Sequence, residues 1–196
     1  MTDASLAEAS VESLFVDAGA LLEGHFLLKS GRHAGRYLEK FLVLQHPRYG
    51  VEIGRRFAEA LAPYAPTLVV GPTTGGVLLS FETARQLGGD VRAAFAEAVS
   101  EGGRALRRGW TIGPDERVVI VDDILTTGAS LVETVDAVRA AGAEPIAAAV
   151  IVDRSTTPVD PGFPLHALGT VEIPSWEPEA CELCAAGVPL RKPGSS

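Results

Sequence analysis

The 196-residue chain reads as one α/β domain with a mainly parallel central sheet flanked by helices. Three observations predict this. Short runs rich in β-branched and small apolar residues, at 67–71, 118–121 and 146–152, alternate with longer segments of helical spacing. Each run opens into a polar or glycine-rich loop, where an open parallel sheet gathers its strand C-termini. No internal repeat, low-complexity tract or long linker divides the chain.

Taken in order, a first helix is predicted over about residues 6–20, with Leu6, Val11, Leu14 and Phe15 at helical spacing. Residues 24–44, rich in Phe, Leu, Tyr and Val, read as an extended hairpin. A second helix begins after Pro47 and ends near Leu61, ahead of Pro63. Strand 67–71 leads through the turn GPTTGG into a helix over 77–87, and a further strand covers 91–95. A Gly- and Arg-rich stretch at 100–109 separates it from strand 118–121, whose helix runs to about Ala141. Strand 146–152 follows, then a weaker one at 166–173 and a Pro-rich tail.

The chain is 46% hydrophobic and 21% charged, ordinary for a globular protein, and long enough to build a core without staples. A net charge of -8 argues against a nucleic-acid face. An acidic chain that handles polyanions must gather its cations locally or recruit a divalent metal. No apolar run reaches the roughly 18–20 residues of a membrane span. The acidic start, MTDASLAEAS, lacks a basic n-region, so no secretory leader is expected. Two cysteines make no disulfide framework and fit a reducing, cytoplasmic setting.

The densest chemistry lies in RVVIVDDILTTGAS, residues 117–130. An apolar strand ends in Asp122 and Asp123, passes Ile124 and Leu125, turns through Thr126, Thr127 and Gly128, and opens a helix near Ala129 and Ser130. Turn N–H groups and the positive helix end suit a phosphate, while two carboxylates accept hydrogen bonds from sugar hydroxyls. A Walker B reading needs a G-x-x-x-x-G-K-[ST] partner, which is absent, and a dinucleotide reading needs three glycines where this turn has one. A simple N-capped helix needs one hydroxyl and no paired acids.

Three further loops fall at strand C-termini. Thr73, Thr74 and Gly75 in GPTTGG suit a second phosphate. Arg154, just past strand 146–152, offers a planar fork for a carboxylate. The loop over 97–109 has the composition of a mobile lid. Near the C-terminus, Cys181 and Cys184 form one CxxC; a structural zinc site needs four ligands, and only scattered histidines are available to complete it. The pair is therefore read as small buried residues or a helix turn, with metal or redox roles as the lesser alternative.

Residues 117–130 resemble the phosphoribosyl-pyrophosphate (PRPP) motif of type I phosphoribosyltransferases. The string GHFLLKSGRHAGRYL, residues 24–38, resembles the signature of orotate phosphoribosyltransferases, and Asp153-Arg154 agrees with it. The resemblance covers about residues 14–190. It implies a type I phosphoribosyltransferase fold with a small N-terminal hood at about 1–45, a PRPP-binding core at about 65–173 and a tail to 196, all one domain. It implies that Lys29 reaches the reacting centre, that Tyr37 and Leu38 cover the pyrimidine, and that Thr126 and Arg154 contact orotate. It further implies that Asp122 and Asp123 hold the ribose hydroxyls, residues 126–130 the 5′-phosphate and residues 73–75 the pyrophosphate. Magnesium is expected, held mostly by substrate oxygens, and a homodimer, because the family's lid acts across a subunit boundary. The implied reaction joins the phosphoribosyl group of PRPP to N1 of orotate in pyrimidine synthesis; no nucleic-acid or membrane partner is expected.

The chain departs from the family pattern in two places. Residues 95–103 carry no cation before Arg104, with Ala98 where shorter-loop members have a basic residue, and Ala34 replaces a frequent serine. Arg104, Arg107 and Arg108 are the candidates to supply the charge, with closure of a hairpin before the next strand as the alternative role of Arg107 and Arg108. Two other functions compete: transfer to a purine base, which would leave Arg154 without a carboxylate partner, and a non-catalytic PRPP sensor that has lost its lid cations.

Overall fold

The computed structural model describes residues 3–28 and 30–193; Lys29 lies outside the described residues. Two short helices, α1 (Asp3–Glu8) and α2 (Val11–Asp17), stand where one long helix was expected. The break falls at Ser10, whose hydroxyl accepts from the Ser13 backbone N–H at 3.1 Å and caps α2.

Strands β1 (Leu21–Leu27) and β2 (His33–Leu38) form the expected antiparallel hairpin. The hairpin stops six residues early, because α3 (Lys40–Leu44) is helical. Its Phe-Leu-Val-Leu composition looks like a strand, but Val43 and Leu44 bury one helical face in the core, and the Glu39 carboxylate accepts from the Phe41 N–H at 3.2 Å. Helix α4 (Pro47–Leu61) opens on a proline, where no N–H is needed. It buries Tyr49, Ile53, Phe57 and Leu61, each worth roughly 1.5–3 kcal/mol of transfer free energy.

The larger sheet contains β3 (Leu68–Pro72), β4 (Arg92–Ala98), β5 (Arg104–Leu106), β6 (Val118–Leu125), β7 (Pro145–Asp153) and β8 (Leu165–Thr170). Their order is β5-β4-β3-β6-β7-β8, parallel throughout except for β5. Helix α5 (Gly75–Leu87) links β3 to β4, and α6 (Ala129–Ala140) links β6 to β7. From β3 the chain goes first to one side, to β4, and later to the other, to β6. The strand order therefore reverses between β3 and β6, which is where an open α/β sheet leaves a crevice at its carboxyl edge.

Alternate residues of the central strands feed opposite faces. Val69, Val119, Val121, Ala149 and Ile151 join one core with α2 and α4; Ile120, Ala148 and Val150 join another with Leu131 and Val135 of α6. The tail adds β9 (Ser175–Trp176), paired to β2, and α7 (Glu182–Ala185). The loop over 97–109 forms a hairpin: Ala96 pairs with Leu106, Glu97 with Ala105 and Ala98 with Arg104, and Arg108 closes it on Glu97.

Candidate functional site

The acid pair lies at the reversal point, within the last four residues of β6. The strand runs on through both acids to Leu125 instead of ending before them as expected, because its pairing with β7 continues to Asp153. Because side chains alternate along a strand, Asp122 and Asp123 point to opposite faces. Asp122 turns toward α6, where the Ser130 hydroxyl donates to its Oδ2 at 2.6 Å. Asp123 turns toward α3 and α5: its Oδ1 accepts from the Ile124 N–H at 2.8 Å and its Oδ2 pairs with Lys40 Nζ at 2.7 Å. Both acids are buried.

Gly75, the first residue of α5, makes this seat for Asp123 possible. A Cβ there would lie 2.3 Å from Asp123 Oδ2. Gly71 and Gly76 bring the same loop tightly onto itself, since a Cβ on Gly71 would meet the Gly76 carbonyl at 2.3 Å. The Thr73–Thr74 peptide is cis. On the other side, Gly128 adopts φ 79° at the start of α6, and a Cβ there would also strike Val159 at 2.7 Å. Two helix N-termini thus face the crevice, one on each side of the acid pair, with Thr74, Thr126, Thr127 and Ala129 exposed around it.

The third strand end supplies a cation. The Arg154 N–H donates to the Leu125 carbonyl at 2.9 Å, which ties the ends of β6 and β7 together. Its guanidinium is half-buried and forms no ion pair or hydrogen bond among the described residues. Burial pushes its pKa down, and the charge of Tyr37 opposes that shift. Burial in turn raises the Tyr37 phenol, with Glu39 adding to the shift while Lys40 and Arg154 oppose it. Tyr37, Lys40 and Arg154 therefore share one electrostatic neighbourhood with Asp123. The Tyr37 ring also leans on Phe26, their centroids 5.8 Å apart.

Not every expected residue presents its side chain to this crevice. Leu38 and Leu125 are buried in the core and Ile124 packs against it, so only their backbones are available for binding. Lys29 lies outside the described residues. Thr73 is engaged by Arg104, whose guanidinium donates to the Thr73 carbonyl at 3.1 Å and its hydroxyl at 3.2 Å, and also pairs with Glu133 at 3.2 Å. Of the three loop arginines, Arg104 alone reaches the β3–α5 loop; Arg108 serves the hairpin. Lys40 escaped the sequence reading because it lay in a segment read as strand and belongs to no motif.

Asp122 is placed where its charged form is disfavoured. Burial, then the charge of Asp123, pushes its carboxyl up to about 6, against the Ser130 hydroxyl, the Asp123 N–H and Lys40. An acid raised above its unfolded value of 3.8 stabilises the fold while protonated. That contribution is complete below about pH 4 and is lost as pH climbs through about 6. Asp122→Asn should therefore melt at a higher temperature than the wild type at pH 7.5, with the two midpoints converging near pH 4. Equal midpoints at both pH values would remove the strain assigned to this acid.

The phosphoribosyl transferase domain model matches residues 43–177. Orotate phosphoribosyltransferase of Pelotomaculum thermopropionicum is 46% identical over 94% of this chain and 96% of its own. That of Heliobacterium modesticaldum is 44% identical over 97% of this chain and 99% of its own. The crystal structure of Mycobacterium tuberculosis orotate phosphoribosyltransferase in complex with Fe(III) dicitrate superposes with a TM-score of 0.68 at 26% identity, covering 82% of this chain and 95% of that one. The crevice at the strand reversal, its acid pair and its two helix N-termini occur in a chain alike over nearly its full length to these enzymes, and the chain belongs to the orotate phosphoribosyltransferase family.

Proposed function

We infer that the chain transfers the 5-phosphoribosyl group of PRPP to N1 of orotate, releasing pyrophosphate and forming orotidine 5′-monophosphate in pyrimidine synthesis. The observation that carries this reading is the meeting, at one crevice, of a turn at a helix N-terminus, an acid pair and a guanidinium with no ion pair among the described residues. In the reaction the C1–pyrophosphate bond breaks as the bond from N1 forms, with inversion, and the N1 proton is lost. The carbon becomes cationic on the way, so the protein's task is positioning and charge stabilisation. The turn at 126–130 receives the 5′-phosphate, Asp122 and Asp123 accept from the ribose hydroxyls, and the loop at 73–75 receives the pyrophosphate. Thr126 and Tyr37 flank the base, and Arg154 takes its carboxylate. Lys29, from the hood, is assigned to the reacting centre.

Magnesium fits this site as a companion of the substrate. Asp122 and Asp123 face apart and are each engaged, so they do not build an oxygen cage; a cation held mainly by pyrophosphate and ribose oxygens suits them. When bound, it neutralises charge on the leaving pyrophosphate.

Loss of orotate absorbance with PRPP and magnesium, run beside adenine, guanine, hypoxanthine and uracil, tests the reading. Turnover of orotate alone supports it. Turnover of a purine refutes it, and PRPP binding without turnover of any base turns the chain into a sensor.

A homodimer belongs to the same proposal. Val51, Leu78 and Phe81 are exposed over α4 and α5 and line one groove with Leu44, Pro47 and Val77. A contiguous exposed apolar patch of this kind suits a protein interface. Sedimentation equilibrium should give twice the chain mass, and Phe81→Asp should shift it toward monomer; a wild-type monomer at micromolar concentration would refute the dimer. No helix among the described residues is long and apolar enough to cross a membrane, and a cytoplasmic location is proposed with the rest.

A further inference from the structure

The CxxC of the tail does not stand alone. Cys181 precedes α7 and Cys184 lies within it, and they meet His25 of β1 and His33 of β2. One donor atom from each of the four lies within 4.8 Å of every other. His25, His33 and Cys181 are buried, while Cys184 is exposed. The separations are short: His25 Nε2 to His33 Nδ1 3.1 Å, Cys181 Sγ to His25 Nε2 3.4 Å, Cys184 Sγ to His25 Nε2 3.8 Å and Cys184 Sγ to His33 Nδ1 3.3 Å.

Ordinary hydrogen bonding does not account for this arrangement. His25 Nδ1 lies 2.7 Å from the Val188 carbonyl, which only a donor satisfies, so Nδ1 carries the proton. Nε2 then has one lone pair, yet His33 Nδ1 and both thiols converge on it. One lone pair serves one donor well, not three. A cation at the centre resolves the conflict, because each group then offers a lone pair inward. Zinc bonds of about 2.0–2.1 Å to nitrogen and about 2.3 Å to sulfur, at tetrahedral angles, separate N from N by about 3.3 Å and N from S by about 3.5 Å. The observed separations scatter around those values. The Val188 carbonyl supplies the outer partner that a zinc-bound imidazole habitually has.

We propose that His25, His33, Cys181 and Cys184 bind one structural zinc ion that fastens the C-terminal tail to the hood. Four protein donors fill a tetrahedral shell, which leaves no open position for chemistry. The surrounding backbone supports the same purpose. Leu27 N–H donates to the Arg191 carbonyl and Arg191 N–H to the His25 carbonyl, both at 2.8 Å, while β9 pairs with β2 at His33 and Ala34. The tail is thus stitched along both hood strands, and the metal would lock the stitch four residues before Tyr37 on β2. This site is separate from the crevice, so its test does not depend on the proposed reaction.

The experiment uses the full chain, expressed without a histidine tag. Elemental analysis of the purified protein should find one zinc per chain. Titration of the metal-free chain with Co(II) should give a thiolate charge-transfer band and the visible bands of a tetrahedral site. Cys184→Ser, at an exposed position, should keep its circular dichroism and weaken metal binding by more than about 100-fold. If that variant fails to fold, the wild-type Co(II) spectrum still decides. A wild-type chain that holds no zinc and gives no tetrahedral Co(II) spectrum overturns the proposal, as does a Cys181–Cys184 disulfide in freshly purified protein.

Discussion

Asp123→Asn is expected to lower kcat/KM by roughly 100- to 1000-fold, the size of effect seen when one group aimed at a transition state is removed. The substitution preserves shape, which matters because Asp123 occupies space that a Cβ on Gly75 would otherwise claim. Asn still accepts from the Ile124 N–H through Oδ1. What disappears is the charge at Oδ2, the ion pair with Lys40, and an acceptor for a ribose hydroxyl. Loss of the Lys40 ion pair lowers stability at neutral pH, while removal of the like charge beside Asp122 raises it, so the two changes oppose each other. Activity should therefore collapse while the melting midpoint stays near that of the wild type. Calorimetric titration with PRPP reads the binding part of the loss, and an unchanged PRPP affinity would refute the role given to this acid. Asp122→Asn makes a useful contrast, since it should also lose activity but gain stability at neutral pH.

The parts of the molecule that were legible in the sequence are those whose signal is local. Strands β3, β6 and β7 are buried on both faces and read as near-continuous apolar runs, so their positions and the loops beyond them could be predicted. Gly128 and Arg154 follow because each lies just past a strand end, and Asp122 and Asp123 because they interrupt an otherwise apolar strand. Lys40 illustrates the opposite case. Its role depends on α3 being helical, and the apolar run 41–44 is compatible with either helix or strand until packing against α4 and α5 decides. The loop at 97–109 shows a related limit: pairing of Arg104–Leu106 with β4 forms a hairpin that places Arg104 against Thr73. Composition does not reveal such pairing, because a hydrogen-bonded edge strand needs no particular side chains.

Cys181 and Cys184 were visible as a pair, but their partners were not. His33 Nδ1 sits 3.3 Å from Cys184 Sγ across 151 positions of sequence, and only the return of the tail along β1 and β2 brings them together. Non-local pairings of this kind leave no spacing signature in one sequence. The same limit applies to Leu38, Ile124 and Leu125. A motif identifies the segment, whereas the alternation of the strand decides which of its side chains turn inward.

Arg154→Met should raise KM for orotate by roughly 30- to 150-fold while leaving KM for PRPP within about 2-fold, since a charge-assisted hydrogen bond is worth about 2–3 kcal/mol. Methionine keeps most of the apolar stem and removes the charge. The backbone N–H of residue 154 remains free to donate to the Leu125 carbonyl, so the junction of β6 and β7 persists. Arg154 is suited to this role because it is half-buried without an ion pair among the described residues, and such a desolvated cation gains more from a carboxylate than an exposed one would. The variant should also lose selectivity: uracil lacks the carboxylate and gains nothing from the guanidinium, so the orotate-to-uracil ratio of kcat/KM should fall by about the same 30- to 150-fold. A purely structural arginine would instead lower the rates for both bases together and leave the ratio unchanged. Measuring that ratio therefore separates recognition of the substrate carboxylate from support of the fold, and an unchanged ratio would return Arg154 to a structural role.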